Sequence, residues 1–398
     1  MHKLNTHILI ACGGTGGHVF PGIATGQVLQ QRGHAPVLWL SGRRSVENET
    51  LHGWDGPVFR TGARPLGFRT LPAFAATLWR AWRQMRRERP DVVLAMGCYS
   101  SVPPVLVARL LGIPVVLHEA NAVPGKAVAF LSRFARVTAL SFAASARYLP
   151  GRRTVVTGMP VRTSLAGQLP LEADHGGDSA APSRRLSALE GGAPSPPYAF
   201  TVLVTGGSLG AHAVNELACE AFLLLHKQGS TGIRVIHQCG PADEASLRAR
   251  YAAAGADAQV FAFLREMGRA YASADLAICR AGAATCVELC LCGVPAILIP
   301  LPAAVRDHQR LNAEALVQSG GALLRIQSDT TPAQLAADIE AIRADPARRA
   351  AMRQALLTLA APDAAEKLAE LVVGTSEPCA EKSDPAGTLS DRLAAIRK

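Results

Sequence analysis

At 398 residues, 49% hydrophobic but only 5% aromatic, and with a formal charge of +10, the chain can form two domains with sizeable cores of the aliphatic, parallel α/β kind. The charge suits anionic partners such as phosphate, nucleic acid or acidic lipid, or serves only solubility. No uncharged run approaches the ~20 residues that cross a bilayer, and the apolar stretch at 8–12 is too short for a signal segment; a cytosolic chain is expected, with peripheral membrane contact compatible. The nine cysteines are scattered and odd in number, which fits a reducing compartment. Cys286, Cys290 and Cys292 form the one cluster, without finger-like spacing, and read as core thiols.

In chain order, His7–Cys12 reads as a strand that runs into Gly13-Gly14-Thr15-Gly16-Gly17-His18, with a helix over Gly22–Arg32 behind it. Strands follow at Pro36–Ser41, Asp91–Met96, Pro114–His118 and Thr154–Thr157, with helices at Leu71–Arg89 and Pro103–Leu111. This alternation indicates a doubly wound parallel sheet. In Leu71–Arg89 the residues Leu71, Phe74, Leu78, Trp82 and Met85 recur at helical spacing beside Arg80, Arg83, Arg86, Arg87 and Arg89. That pattern fits a basic amphipathic helix on anionic headgroups or a helix packed on a core with a solvated face.

His118-Glu119-Ala120-Asn121-Ala122-Val123-Pro124-Gly125 closes a strand, at the edge where open α/β sheets gather ligands; it also reads as a capped loop with a Pro-Gly turn. Residues 166–198 are rich in Gly, Ser, Pro, Ala and charge, the composition of a linker or surface insertion. Alternation resumes at Tyr198, and Val202-Leu203-Val204-Thr205-Gly206-Gly207-Ser208-Leu209-Gly210-Ala211 repeats the opening strand and glycine turn. Glycine turns let the backbone approach a ligand, and exposed helix-start N–H groups favour phosphate. Further strands fall at Val235–Cys239, Gln259–Phe261, Leu276–Cys279 and Ala296–Pro300.

After the third of these, Gly282–Thr285 starts a helix with Glu288 one turn in; that carboxylate can take ribose hydroxyls or simply favour the helix start. Arg306-Asp307-His308-Gln309-Arg310-Leu311-Asn312 is a polar group that reads sugar hydroxyls or begins a solvated helix. Past residue 376 the sequence is polar and reads as frayed.

Taken together, six motifs resemble the MurG family, the bacterial UDP-N-acetylglucosamine–N-acetylmuramyl-(pentapeptide) pyrophosphoryl-undecaprenol N-acetylglucosaminyltransferases, inverting GT-B enzymes of glycosyltransferase family 28. The motifs are residues 13–18 with Pro21-Gly22, His118-Glu119 with Asn121 and Pro124-Gly125, and Gly158-Met159-Pro160-Val161-Arg162. The others are Gly206–Ala211, Arg280–Thr285 with Glu288, and Asp307-His308-Gln309 with Asn312-Ala313. Ala120 stands where relatives often carry Gln, His212 where Arg is common, and the 166–198 stretch is longer than usual.

The resemblance implies an α/β GT-B fold of two Rossmann-like doubly wound parallel-sheet domains facing a cleft. Its expected division is 1–162 for acceptor and membrane, 163–198 as linker with a low-complexity insertion, 199–350 for the donor, a helix over 351–375 returning to the first domain, and a flexible tail over 376–398. It implies a UDP-N-acetylglucosamine site built from Thr15, Gly16, Gly17, Asn121, Arg162, Ser208, Leu264, Ala283, Ala284, Thr285, Cys286, Val287, Glu288 and Gln309. Ser208 would hold the diphosphate, the Leu264 backbone the uracil, Glu288 the ribose and Gln309 the sugar.

The implied reaction carries N-acetylglucosamine from UDP to the 4-hydroxyl of the N-acetylmuramyl group of a prenyl-pyrophosphate-linked muropeptide. Glycine-rich helix starts would stabilise the departing UDP. No Asp-X-Asp pattern occurs, so neither metal nor cofactor is expected. His18 is the candidate general base, or else a histidine anchoring its loop. The lipid acceptor tilts the 71–89 helix towards anionic membrane contact, with Phe74, Leu78, Trp82, Arg83 and Arg86 as candidates, at the cytoplasmic face of a bacterial inner membrane.

Rival readings are another GT-B transferase with a different acceptor, a non-catalytic nucleotide-sugar binder, and an NADP-type dehydrogenase using Arg43 and Arg44, which leaves the second glycine turn unexplained. No aromatic–basic RNA motif or finger spacing points to nucleic acid.

Overall fold

The computed structural model describes residues 5–13, 16–42, 51, 53–63, 71–161, 200–207, 210–264 and 266–377. The stretch 163–198, the tail beyond 377, and Thr15, Arg43, Arg44, Arg162 and Ser208 lie outside the described residues.

The first sheet contains β1 (His7–Ala11), β2 (Ala35–Leu40), β3 (Val58–Arg60), β4 (Val92–Ala95), β5 (Val115–Glu119), β6 (Val137–Leu140) and β7 (Thr154–Val156). Its order is β3-β2-β1-β4-β5-β6-β7, every pair parallel, with Ile8 opposite Pro36 on one side and Val92 on the other. β4 and β5 are buried throughout, β4 wholly aliphatic and β5 aliphatic up to His118 and Glu119, as a parallel sheet covered on both faces demands. On one face α1 (Gly16–Gln31) packs through Val19, Ile23 and Leu29. The other face is covered by α2 (Leu71–Glu88), α3 (Val102–Leu110) and α4 (Lys126–Leu131).

The second sheet contains β8 (Phe200–Thr205), β9 (Ile233–Gln238), β10 (Ala258–Phe261), β11 (Leu276–Cys279), β12 (Ala296–Leu298) and β13 (Ala322–Leu324). It is parallel in the order β10-β9-β8-β11-β12-β13. Helices α5 (His212–Lys227), α6 (Glu244–Ala254) and, from further along, the helix Pro332–Arg343 bury one face. The opposite face holds α7 (Met267–Ser273), α8 (Ala283–Cys292) and α9 (His308–Gln318). Cys286 and Cys290 lie in this second core, with burial pushing both thiols up, Cys290 to about 12.

Three helices end the described chain: α10 (Pro332–Arg343), α11 (Pro346–Leu357) and α12 (Ala364–Ser376). The single helix expected over 351–375 is therefore two. Helix α11 puts Met352 and Leu356 into the second sheet's cores. Across a turn containing Pro362, which cannot continue a helix interior, α12 buries Leu368, Ala369, Val372 and Val373 with Ile8 and Ile10 of the first.

Other differences have local causes. Helix α1 begins at Gly16, not Gly22, and carries Pro21 inside it; Pro21 has no N–H, so the Gly17 carbonyl lacks its helical donor. Strands β3, β6 and β13 were not read from sequence: β3 and β13 have three residues each, and β6 has four, among them Ala139, a residue depleted in strands.

Helix α2 also corrects the apolar stripe. Ala81 and Met85 are in the core and Phe74 and Leu78 pack against it, while Trp79 and Trp82 are exposed, 57% and 40%. Of the apolar membrane candidates, Phe74 and Leu78 face the sheet and Trp82 faces outward.

Candidate active site

In each sheet the chain works outward from its first strand and then returns to the other side of it. The reversal opens a crevice at the carboxyl ends of the two strands on either side, which is where open α/β sheets bind ligands. In the first sheet this switch point lies between β1 and β4, beside Gly13 and Gly97. In the second it lies between β8 and β11, beside Gly206 and Gly282.

The loops at the first switch point line a cleft of about 310 Å³ with His18, Glu119, Asn121, Gly125 and Lys126, and His308 joins them from α9. Gly16, Gly17 and His18 form the first turn of α1. Desolvation lowers the His18 pKa to about 4, so its ring is neutral at neutral pH. Its neighbour His118, at the end of β5, is also lowered to about 4, first by burial and then by the His18 charge, against a bond to Gly158. His118 Nε2 lies 3.2 Å from the Gly158 carbonyl, which can only accept, so Nε2 carries the proton and Nδ1 is left a buried acceptor without a hydrogen-bond partner. Gly158 has φ +79°, and a Cβ there would meet the Ala361 Cβ at 2.5 Å.

Glu119 anchors its loop. Its Oε1 accepts from Asn121 N at 2.8 Å and Asn121 Nδ2 at 3.0 Å, and its Oε2 from Gly125 N at 2.9 Å. Burial raises its pKa while these N–H groups pull it back. Asn121 is fixed further by Ser145 Oγ, which donates to its carbonyl at 2.7 Å.

At the second switch point Gly206 and Gly207 follow β8, and Gly207 N donates to Thr205 Oγ1 at 3.2 Å. Gly210 is required by geometry: its φ is +76°, and a Cβ would lie 1.9 Å from the Cys239 carbonyl oxygen. Helix α8 starts at Ala283 behind Gly282, so the N–H groups of Ala283, Ala284 and Thr285 are those left free by a helix start. The Cys286 side chain turns into the core and its N–H donates to the Gly282 carbonyl at 3.0 Å, so Cys286 closes the helix start, while Val287 is half-buried.

Glu288 is 6% exposed and accepts a hydrogen bond from Tyr271 Oη at 3.1 Å. Tyr271 was not among the residues singled out from sequence; it reaches Glu288 from α7, and no local spacing signals that contact. Leu264, after β10, is half-buried against the same core.

Arg280 is 8% exposed and donates through Nη1 to the carbonyls of Ile299 and Pro300, at 3.1 and 3.0 Å, and through Nη2 to Gln327 at 2.7 Å. Burial lowers its pKa. The same segment continues to Leu301, whose N–H donates to Gln309 Oε1 at 2.9 Å. Arg280 thus sets the strand end from which Gln309 is held.

The two switch points meet through α9. Asn312 Oδ1 accepts from Ala122 N at 2.8 Å, and its Nδ2 donates to Asn121 Oδ1 at 3.2 Å and to the Ala281 carbonyl at 3.1 Å. Asn312 thus ties the loop after β5 to the segment that leads into α8, and His308, on the same helix, lines the cleft at the first switch point.

Comparison with known proteins agrees with this layout. The glycosyltransferase family 28 N-terminal domain matches residues 8–140 and the family's C-terminal domain residues 201–368. A UDP-N-acetylglucosamine–N-acetylmuramyl-(pentapeptide) pyrophosphoryl-undecaprenol N-acetylglucosamine transferase of Xanthomonas axonopodis pv. citri is 39% identical over 92% of this chain and 81% of its own. Its namesake in Xylella fastidiosa is 39% identical over 93% and 97%. Among solved structures, MurG of Acinetobacter baumannii superposes with a TM-score of 0.71 at 31% identity, covering 92% of this chain and 99% of that one. The calicheamicin glycosyltransferase CalG4, at 17% identity and a TM-score of 0.62, shares the fold. The chain belongs to glycosyltransferase family 28, and within it to the MurG family of N-acetylglucosamine transferases.

Proposed function

We propose that this protein transfers N-acetylglucosamine from UDP-N-acetylglucosamine to the 4-hydroxyl of the N-acetylmuramyl group of a prenyl-pyrophosphoryl muropeptide, forming the disaccharide lipid precursor of peptidoglycan. The observation that carries this reading is a glycine turn at each sheet's switch point, with His18 lining the cleft beside the first, the α8 start and Glu288 following the second, and Asn312 bonded to both halves.

The donor lies on the second sheet. Ala283–Thr285 and the Gly206–Ala211 turn take the diphosphate, with Ser208 among them; Glu288 takes the ribose, the Leu264 backbone the uracil and Gln309 the sugar. Asn121, Arg162 and the Thr15–Gly17 turn approach from the first sheet. Displacement is in line at the anomeric carbon, with inversion. Backbone N–H groups at the helix start stabilise the negative charge that grows on UDP. His18 takes the acceptor proton. It is neutral at working pH because its pKa is about 4, so it is in the correct protonation state although a weak base until the anionic substrates raise its pKa.

The acceptor's lipid brings the protein to the cytoplasmic face of the inner membrane. Among the described residues no helix is long and apolar enough to cross a membrane. Helices α2, α3 and α4 share one face of the first sheet and expose Trp79, Trp82, Leu110 at 81% and Phe130 at 42%. The Arg83 guanidinium lies 5.6 Å from the Trp79 ring and that of Arg86 5.0 Å from the Trp82 ring. Aromatic rings beside cations suit an anionic headgroup layer.

The test supplies UDP-N-acetylglucosamine with a short-chain, water-soluble acceptor analogue and follows UDP release. Acceptor-dependent release with a β-linked disaccharide is expected; release indifferent to acceptor overturns the reading. For the membrane face, Trp79→Ala with Trp82→Ala should weaken co-sedimentation with phosphatidylglycerol vesicles and leave turnover of the soluble analogue intact.

A further inference from the structure

We propose that Asn312 is a positioning residue that holds the two halves of the site in register. This extends the transfer reading: Asn312 meets neither substrate, but it fixes the loops that do.

The side chain has one acceptor oxygen and two amide hydrogens, and all find protein partners across the cleft. Oδ1 takes the Ala122 N–H of the first sheet's loop at 2.8 Å. Nδ2 gives one bond to Asn121 Oδ1 on that loop, 3.2 Å, and one to the Ala281 carbonyl of the second sheet, 3.1 Å. Asn312 is completely buried, so water does not substitute for these bonds. Ala281 directly precedes Gly282, where α8 begins, and Asn121 is held by Glu119 and lines the cleft. One amide therefore measures the distance between the helix start that faces the donor and the loop that faces the acceptor.

Two nearby features serve the same contact. Arg306 Nη1 donates to the Pro124 carbonyl at 3.3 Å, on the loop that Asn312 holds. Arg306 and Asp307 are both left-handed, φ 56° and 54°, a conformation that residues other than glycine adopt only when their surroundings impose it. Phe142, just after β6, packs on the second sheet's core. The chain passes between the halves in the turn between α11 and α12, where Ala361 abuts Gly158. Opening the molecule about that turn separates Asn312 from Asn121 and Ala122, so the bridge marks the closed register.

Asn312→Ala removes all three bonds. Asn312→Asp preserves shape and the acceptor for Ala122 but sets oxygen against the Asn121 and Ala281 oxygens. For both variants the expected result is a UDP dissociation constant within about threefold of wild type, kcat with the soluble acceptor lower by about thirtyfold or more, and a larger radius of gyration by X-ray scattering of the unliganded protein. Arg306→Ala, at an exposed position, should give the same split at about three- to tenfold in kcat, and it serves if the Asn312 variants do not fold.

Two results overturn the proposal. One is a kcat within about threefold of wild type with an unchanged radius of gyration; the other is UDP affinity falling in step with kcat at unchanged radius, the mark of damage confined to the donor half. The scattering measurement needs no turnover. A wild-type protein that transfers no sugar therefore counts against the function, and the radius still decides the bridge.

Discussion

Removing the hydroxyl of Tyr271 tests its share in holding Glu288, the carboxylate proposed to take the ribose. Tyr271 Oη lies 3.1 Å from Glu288 Oε2, and the two residues are 2% and 6% exposed. A hydrogen bond to a charged group contributes about 1.5–3 kcal/mol net. In a domain of this size each kcal/mol moves the thermal midpoint by about 2–4 °C, so Tyr271→Phe should lower it by about 3–12 °C. The carboxylate also loses one of the bonds that orient it, and UDP-N-acetylglucosamine should bind about three- to tenfold more weakly, or about 0.7–1.4 kcal/mol.

Calorimetric titration of the donor, with a thermal melt on the same sample, reads both effects. Glu288→Gln is the contrasting variant. It keeps an acceptor for the tyrosine, so its midpoint should fall less while donor affinity falls at least as far. If Tyr271→Phe leaves the midpoint within about 1 °C and the dissociation constant within about twofold, the hydrogen bond does not position Glu288.

His18→Ala should slow turnover by about 10²–10⁴-fold, the usual contribution of a general base, with donor affinity retained; full turnover in that variant removes His18 from the base role. The wild-type acid limb of kcat/KM should fall nearer pH 4, the lowered His18 value, than 6.5, and a limb centred at 6.5 speaks against the desolvated ring. His237 is fully buried between Tyr251 Oη at 3.1 Å and Asn215 Oδ1 at 3.2 Å, with its pKa lowered to about 4 by burial. The unfolded chain therefore binds its proton at higher pH, and stability present above 6.5 is lost as the pH falls to 4, up to about 3 kcal/mol. His237→Gln should flatten the melting temperature against pH in that window, and an unchanged slope contradicts the assignment. Transfer should persist in excess EDTA; activity lost to the chelator and restored by magnesium rejects leaving-group stabilisation by backbone N–H groups alone.

Most of the fully buried strands were legible, β6 excepted. β11 is an unbroken aliphatic run with matching bounds, and the glycine turns at 13–17 and 206–211 fixed where each crevice opens. Legibility failed where a residue's meaning depends on distant partners. Phe74 and Leu78 have the spacing of a lipid-facing stripe and of a core-facing one, and only the sheet under α2 decides between them. The role of Tyr271 depends on a residue 17 positions away, and that of Asn312 on one 190 away; neither distance leaves a periodic trace. Asn121 was read as a ligand contact and does line the cleft; that Glu119 and Asn312 also hold its amide depends on residues its own loop does not encode. The first helix was read from Gly22, after Pro21, whereas Gly16 and Gly17 already adopt it.

Held groups of this kind bear on how a site with two buried carboxylates, Glu119 and Glu288, could accept the proposed diphosphate. Glu119 gives both oxygens to backbone and amide N–H groups of its own loop, and Glu288 takes the hydroxyl of Tyr271, so each negative charge is already partly spent on protein donors. The imidazoles of His18 and His118 are neutral at neutral pH, both lowered to about 4. What faces an incoming anion is then Lys126 on the cleft wall and a set of fixed dipoles: the α8 start behind Gly282, the Gly206–Gly207 turn and the first turn of α1. Such groups need not rotate or shed bound water as charge develops, which is the condition under which a preorganised site lowers a barrier more than water does. The same logic makes the register of the two halves part of the chemistry. Dipoles fixed on separate sheets stabilise one leaving group only when the sheets keep the right distance, and Asn312 is bonded to both.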